Sequence, residues 1–287
     1  MNQNKNTVII TGANGYIGSN LVKTMLNQGF NIIAIDIKNN NIDTRAKYYN
    51  TDIFTIDEND YIAWGKPKIL IHLAWNNGFN HFADSHMENL PLHFNFLKKL
   101  ISYGIESISV MGSVHEIGYH EGIVNENTPC NPLSYYGIAK NTLRQLLNVY
   151  TTDLNISFKW LRAFYIVGND FCNHSIFTKI LEADKEGKVS FPFTNGANKF
   201  DFININELTK QIYMAATQNK IEGIINVCSG NAVAIKDEVQ NFIKENHLKI
   251  KLDIGKFPSR KYDSPIIFGD NTKIETIKKN YRGKIYD

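Results

Sequence analysis

The chain has little of what marks several protein classes. Only three cysteines occur in 287 residues, Cys130, Cys172 and Cys228. They are odd in number and far apart, and none makes a metal-ligand pair with a nearby histidine. Neither a disulfide framework nor a metal site is expected, and a reducing compartment is. No stretch approaches the ~20 uninterrupted apolar residues that a membrane helix needs. The N-terminus, Met1-Asn2-Gln3-Asn4-Lys5-Asn6, lacks the apolar core of a signal peptide. A cytoplasmic protein without a membrane partner is predicted. Strong charge of one sign is missing too: 31 basic against 28 acidic residues leave +3, too weak a bias to argue for nucleic acid. There is no internal repeat.

What remains is the composition of a globular enzyme-sized chain, 43% hydrophobic and 21% charged. Its length allows two domains, or one large α/β unit with an appendage. Thr7 to Thr11 is a β-branched run. Gly12 to Gly18 follows, then a helical spacing of Ile17, Leu21, Met25 and Leu26, ended by Gly29. Asn31 to Ile35 is a second apolar run that stops at Asp36. The alternation continues with strands over Lys68 to Leu73, Ser107 to Met111 and Ser157 to Leu161, and helices over Met87 to Ser102 and Leu133 to Thr152. Such alternation predicts an α/β protein with a Rossmann-type, doubly wound parallel sheet. Beyond Gly168 the pattern loosens: helices are expected over Phe171 to Glu186, Glu207 to Gln218, Lys236 to Glu245 and Thr272 to Lys279, with strands over Phe200 to Ile205 and Gly223 to Val227. A Rossmann domain over 1–167 and a smaller substrate-binding lobe over 168–287 are predicted, with part of 200–228 packing back on the first.

Gly12-x-x-Gly15-x-x-Gly18 lies between a strand and a helix. Glycines there let the turn tighten and let backbone N–H groups approach a pyrophosphate at a helix N-terminus. The bland reading, a glycine-rich cap without a ligand, is disfavoured by Asp36 at the end of the next strand. A carboxylate at that place accepts ribose hydroxyls and repels a 2′-phosphate, which favours NAD(H) over NADP(H). Lys38 is close enough to soften that preference. Asp52 ends a third segment, Tyr48 to Ile53, and either meets the adenine or is an ordinary loop acid.

Tyr136 and Lys140 are four residues apart on a predicted helix and so share a face. A phenol titrates near 10, and a neighbouring ammonium favours the phenolate. Ser113, just past a strand, is placed to share a substrate oxygen. Alone, the Tyr–Lys spacing is common on surface helices; with the dinucleotide pattern and Ser113 it points to proton transfer.

These residues carry a resemblance. Thr11-Gly12-Ala13-Asn14-Gly15-Tyr16-Ile17-Gly18, Ile71-His72-Leu73-Ala74, Gly112-Ser113, Tyr136 with Lys140, Leu161 to Gly168, Phe200 to Ile205 and Ile225-Asn226-Val227 follow one another as in the extended short-chain dehydrogenase/reductases of the NAD-dependent epimerase/dehydratase type. The chain resembles that family over nearly its whole length. The resemblance implies a catalytic set of Ser113, Tyr136 and Lys140. It implies a cofactor site of Gly12, Asn14, Gly15, Tyr16, Ile17, Gly18, Asp36, Ile37, Asp52, Ile53, Leu73, Ala74, Trp75, Asn89, Tyr136, Lys140 and Tyr165. It places the substrate, a nucleotide-diphosphate sugar, against Trp75, Ser113, Val114, His115, Tyr136, Tyr165, His174 and Lys199.

Within the resemblance the reaction can be narrowed. Sugar dehydratases of the family carry an Asp-Glu pair where this chain has Val114 and His115, and valine transfers no proton. His115 and Glu116 stand where the family has substrate-facing residues; His115 is either a second acid/base or a hydroxyl partner, and His174 either its partner or a loop residue. Tyr165 replaces a common Asn and Trp75 adds apolar area, which suits a 6-deoxy sugar, although ordinary packing would also explain both. Lys199 is a candidate phosphate partner, the loop 168–177 is expected to wrap the nucleotide, and Arg260 and Lys261 are weaker candidates. The expected activity is reduction of a nucleotide-activated 4-keto-6-deoxyhexose, for surface polysaccharide. The alternatives are a nucleotide-sugar 4-epimerase and a non-enzymatic NAD-binding regulator. A homodimer through Met87 to Leu100 and Leu143 to Tyr150 is expected from the same resemblance, although a buried core would give the same spacing.

Overall fold

The computed structural model describes residues 6–168, 175–258 and 263–281. It opens with β1 (Thr7–Thr11), α1 (Tyr16–Asn27), β2 (Asn31–Asp36) and β3 (Lys47–Asn50). Then come α2 (Glu58–Ala63), β4 (Ile69–His72), α3 (Ser85–Tyr103), β5 (Ser107–Ser113) and the short β6 (Gly122–Val124). α4 (Tyr135–Thr151), β7 (Ser157–Ala163), β8 (Tyr165–Val167), α5 (Ile176–Lys185) and β9 (Ser190–Phe193) follow. The rest is β10 (Lys199–Asn204), α6 (Ile205–Ala216), β11 (Gly223–Val227), β12 (Ala232–Ala234), α7 (Ile235–Glu245), β13 (Lys251–Ile254), β14 (Ile266–Gly269) and α8 (Thr272–Tyr281).

Seven strands form one parallel sheet in the order β11-β7-β5-β4-β1-β2-β3. The order runs outward in both directions from β1, as a doubly wound sheet does. Both faces are covered. Val8 and Ile10 point to a core shared with Leu21 and Met25 of α1, Leu208 and Ile212 of α6 and Ile274 of α8. Ile9, between them, points to the opposite core, with Leu97 and Leu100 of α3 and Leu143 and Leu147 of α4. Consecutive buried β-branched residues suit a central strand of a parallel sheet. The late segment 205–227 belongs to this body: β11 is its edge strand, and Thr209 of α6 bonds Thr24 of α1 at 3.0 Å.

A second sheet, β12-β10-β14-β6 with β8 on β10, stands beside the first, and β9 pairs with β13. α5 and α7 meet this region in a small apolar core of Phe177, Ile180, Val239 and Phe242. Most of its strands have only three or four residues, too short for a period to show in the sequence. The helix expected from Phe171 begins at Ile176, where Ser175 accepts the Thr178 N–H at 3.3 Å; residues 169–174 are outside the described set. No helix among the described residues is long and apolar enough to cross a membrane. No described group of three or more His, Cys, Asp or Glu is disposed to hold a metal ion.

Candidate functional site

The carboxyl ends of β1, β2, β4 and β5 bring the sequence-predicted residues to one edge of the sheet. Gly12 has φ +68, and a Cβ on it would stand 2.6 Å from the Ala74 nitrogen. A Cβ on Gly18 would stand 2.0 Å from the Gly12 carbonyl oxygen. These glycines therefore let the first turn press against Leu73 and Ala74 and let α1 start directly above it. α1 has Gly15 as its N-cap and no side-chain cap bond, so no side chain occupies the acceptor position at its first turn, where Tyr16, Ile17 and Gly18 lie. That cradle fits a dinucleotide.

Asp36 ends β2 beside this turn. Its Oδ2 accepts the Asn14 N–H at 3.0 Å and its Oδ1 the Lys38 N–H at 3.2 Å. A carboxylate has about four acceptor positions, so two are left for hydroxyl donors. The Asn14 side chain is tied to Asn40 and Asn41. Ile37 is 62% exposed at the same edge. β3 stops at Asn50, earlier than the sequence suggested, and Asp52 caps a short 3-10 turn by accepting the Phe54 N–H at 3.0 Å. Ile53 is buried in that turn.

Ser113 closes β5, and its hydroxyl lies near enough to the Tyr136 phenol to oppose the rise of that phenol's pKa. α4 begins one residue before Tyr136, with the Ser134 hydroxyl accepting the Gly137 N–H at 3.2 Å. Gly137 is needed there: a Cβ would stand 2.4 Å from the His115 carbonyl oxygen. Lys140, one turn on, is 3% exposed. Its ammonium donates to the Met111 carbonyl at 2.9 Å and lies 3.7 Å from the centre of the Trp75 ring. Burial pulls Lys140 down to about 7, against the field of Glu116. Burial also pushes the Tyr136 phenol up to about 12, with the Ser113 hydroxyl acting the other way and Glu116 adding to the rise. The expected lowering of the phenol by Lys140 is not found in the protein by itself. The lysine nitrogen, 5.9 Å from the Tyr136 ring centre, is turned to Met111 and Trp75 instead.

Trp75 is half-buried and stacks on His93, with centroids 4.5 Å apart at 11°. Its indole N–H donates to Nδ1 of His86 at 3.0 Å, and Nε2 of His86 then donates to the Asn80 carbonyl at 2.8 Å. Asn89 lies on the α3 face that carries His86 and His93. Behind them, Thr11 Oγ1 meets His72 Nδ1 at 2.8 Å and His72 Nε2 meets His93 Nδ1 at 3.0 Å. Burial holds both imidazoles well below their usual range, so this pair is neutral.

On the other side of Tyr136 the His81 ring stacks at 5.1 Å and 15°, and its edge meets His115 at 4.3 Å. The Tyr165 ring is 6.1 Å from His115 and 4.4 Å from Phe200. Burial, then His81, depress His115 to about 3, which suits a neutral hydrogen-bonding imidazole better than an acid. Lys199 is exposed at the start of β10, next to Phe200. His174 lies outside the described residues, as do Arg260 and Lys261.

Two residues are placed differently from the sequence reading. Val114 is 4% exposed and packs with Ile117, Phe164 and Ile267 in an apolar cluster. Glu116, taken as substrate-facing, is 0% exposed and points into the protein toward Trp160 and Arg162. His81, His86 and His93 were not singled out in the sequence, and His72 only as a member of the Ile71–Ala74 motif. Their signal was density: four of the eight histidines fall between positions 72 and 93.

The model of the NAD dependent epimerase/dehydratase family matches residues 8–228. A dTDP-6-deoxy-L-talose 4-dehydrogenase (NAD(+)) of Aggregatibacter actinomycetemcomitans is 42% identical over 91% of this chain and 98% of its own. A dTDP-4-dehydro-6-deoxyglucose reductase of Escherichia coli is 25% identical over 97% and 92%. Among solved structures, a Thermus thermophilus UDP-glucose 4-epimerase in complex with NAD superposes with a TM-score of 0.78 at 19% identity, over 94% of this chain and 92% of that one. The chain belongs to the NAD-dependent epimerase/dehydratase family.

Proposed function

We propose that this protein is a nucleotide-sugar 4-ketoreductase that converts a 4-keto-6-deoxyhexose, held as its nucleotide diphosphate, to the 4-hydroxy sugar with NADH. The 42% relative is named as a 4-dehydrogenase of a 6-deoxy sugar, the same change at position 4 in the opposite sense. The observation that carries the reading is the placement of Ser113, Tyr136 and Lys140 at the carboxyl edge of the sheet, beside the glycine cradle. In the sense of reduction, the Tyr136 phenol would give its proton to the oxygen that gains negative charge.

The nicotinamide, when bound, supplies the hydride. Gly12, Gly15 and Gly18 would take the pyrophosphate and Asp36 the adenosine ribose, which favours NAD(H) over NADP(H). Ser113 and Tyr136 would hold the keto oxygen, and Tyr136 would deliver the proton. Lys140 would hold the nicotinamide ribose. Trp75, His115 and Tyr165 would pack on the sugar ring and its methyl group. We place the protein in the cytoplasm as a homodimer, its product feeding surface polysaccharide.

The test follows loss of reduced nicotinamide absorbance with purified protein, NADH or NADPH, and a panel of nucleotide 4-keto-6-deoxyhexoses made in place by dehydratases. Stoichiometric loss of NADH with one sugar is expected. An isomerised sugar with no net loss of cofactor would replace the reductase with a 4-epimerase. Unchanged activity of Tyr136→Phe would remove the proton-donor role.

A further inference from the structure

Glu116 is a fully buried carboxylate in a chain whose family resemblance gave it no such role. An anion taken out of water must find partners. Oε1 accepts the Ser113 backbone N–H at 2.6 Å, and both oxygens accept the Trp160 indole N–H at 2.9 Å. Two guanidiniums stand off Oε2, Arg162 Nε at 3.5 Å from β7 and Arg144 Nε at 4.0 Å from α4. Neither Nε makes a hydrogen bond among the described residues, and each arginine turns an Nη2 toward Cys130 Sγ at 3.9 Å. The arginines thus balance charge, while the shortest bond is spent on Ser113. The chain also makes room for this bond: a Cβ on Gly112 would stand 2.6 Å from Glu116 Oε1 and 2.1 Å from Trp160 Nε1. Ser113 answers with its own hydroxyl, which accepts the His115 N–H at 3.3 Å. Residues 113 to 116 therefore close a reciprocal box, with the Tyr136 phenol beside the Ser113 hydroxyl.

We propose that Glu116 is a positioning residue for proton transfer, locking the Ser113 backbone so that its hydroxyl meets Tyr136. The inference rests on Ser113, Tyr136 and Lys140 being the reacting set. The carboxylate also acts at a distance. With Arg144, Lys140 and Tyr136 facing it from α4 and Arg162 from β7, its charge raises the proton affinity of both Tyr136 and Lys140.

The experiment uses the full chain with Glu116→Gln and, as its counterpart, Arg144→Gln, whose side chain is partly exposed. In amide NMR spectra the Ser113 proton, bonded to a carboxylate, is expected far downfield, and it moves upfield and exchanges faster in E116Q. With the keto-sugar, E116Q is expected to lower kcat by roughly tenfold or more with KM little changed, the size of one charge-assisted bond. The pH profile of kcat shifts acid in E116Q and alkaline in R144Q, because one variant removes a negative charge near the pair and the other a positive one. A scaffold role alone would alter the folded fraction and move neither profile. A Ser113 amide unmoved in folded E116Q, or profiles that stay in place, overturns the proposal. If E116Q does not fold, an unshifted R144Q profile does the same. Absence of turnover by the unaltered protein would instead refute the reductase reading, and the Ser113 amide would still decide the clamp.

Discussion

Among the described residues two lysines are buried, at different depths along the same sheet. Lys140 lies at the carboxyl edge, 3% exposed, with one carbonyl and the face of Trp75 for company. Lys159 is the third residue of β7, 0% exposed, and donates to Ser107 at 3.0 Å and Ser157 at 2.6 Å, the first residues of β5 and β7. Burial depresses both, to about 7 and about 8. A perturbed lysine is thus no marker of chemistry by itself. What separates the two is neighbourhood. Loops from β1, β2, β4 and β5 converge at the carboxyl edge and bring a phenol, a hydroxyl and a nucleotide cradle within reach. Lys159 meets the serines of its own and the adjacent strand and the field of Glu222 before β11.

The sharpest way to break this comparison is to remove each ammonium in turn. Lys140→Met is expected to cut turnover by roughly 10²–10⁴, the range for a lost acid–base partner, while raising the melting temperature. Lys159→Met is expected to leave turnover unchanged and also to stabilise. Each depressed unit costs the folded state about 1.4 kcal/mol near neutral pH, so the gain is about 2 kcal/mol after allowing for two serines left without their donor. Steady-state kinetics and thermal melts on both variants check this. Loss of turnover in K159M, or its retention in K140M, would mean that position along the sheet does not sort the two.

The fold and the two ends of the chemistry were legible for particular reasons. Val8 to Ile10 show as an unbroken apolar run because both faces of β1 are buried, Leu21 to Met25 show a helical spacing because one face of α1 is, and Gly12, Gly18 and Asp36 stand at fixed offsets from a strand. Tyr136 and Lys140 were legible through helical spacing. Glu116 was not, because its partners Trp160 and Arg162 are more than forty residues away and only the pairing of β5 with β7 brings them close. The other imidazoles around Trp75 and Tyr136 were hidden for the same reason: they come from β4, the loop after it and α3. α2 was missed because it is six residues long; its box of Asp57 and Asp60 could have marked it.

A smaller effect separates the lysines by pH. A lysine whose folded value lies below its unfolded one binds fewer protons when folded, so stability rises with pH across the interval between the two values. For Lys140 that interval runs upward from about 7 and for Lys159 from about 8, each toward 10.5. Urea midpoints of the parent chain are expected to climb through this range. K159M should lose the part that begins near 8, and K140M the part that begins near 7. Coincident losses in the two variants would show that the lysines do not differ as their surroundings imply.

The smallest expected effect lies beside Lys159. Ser109 pairs in register with Lys159 across β5 and β7, so both side chains leave the same face of the sheet, as do Ser107 and Ser157. Yet the Ser109 hydroxyl is fully buried and has no hydrogen-bond partner among the described residues. The ammonium takes the two serines at the strand starts and passes over the one opposite it in register. Ser109→Ala removes an unpaired hydroxyl and little volume, which should stabilise by about 1 kcal/mol, or about 2 °C in a chain of this size. The same substitution in K159M should gain less, because Ser107 and Ser157, freed from the lysine, then offer Ser109 a partner it loses on truncation. A destabilised S109A would show that the hydroxyl is already paired, and that the polar stripe under Lys159 is a complete network.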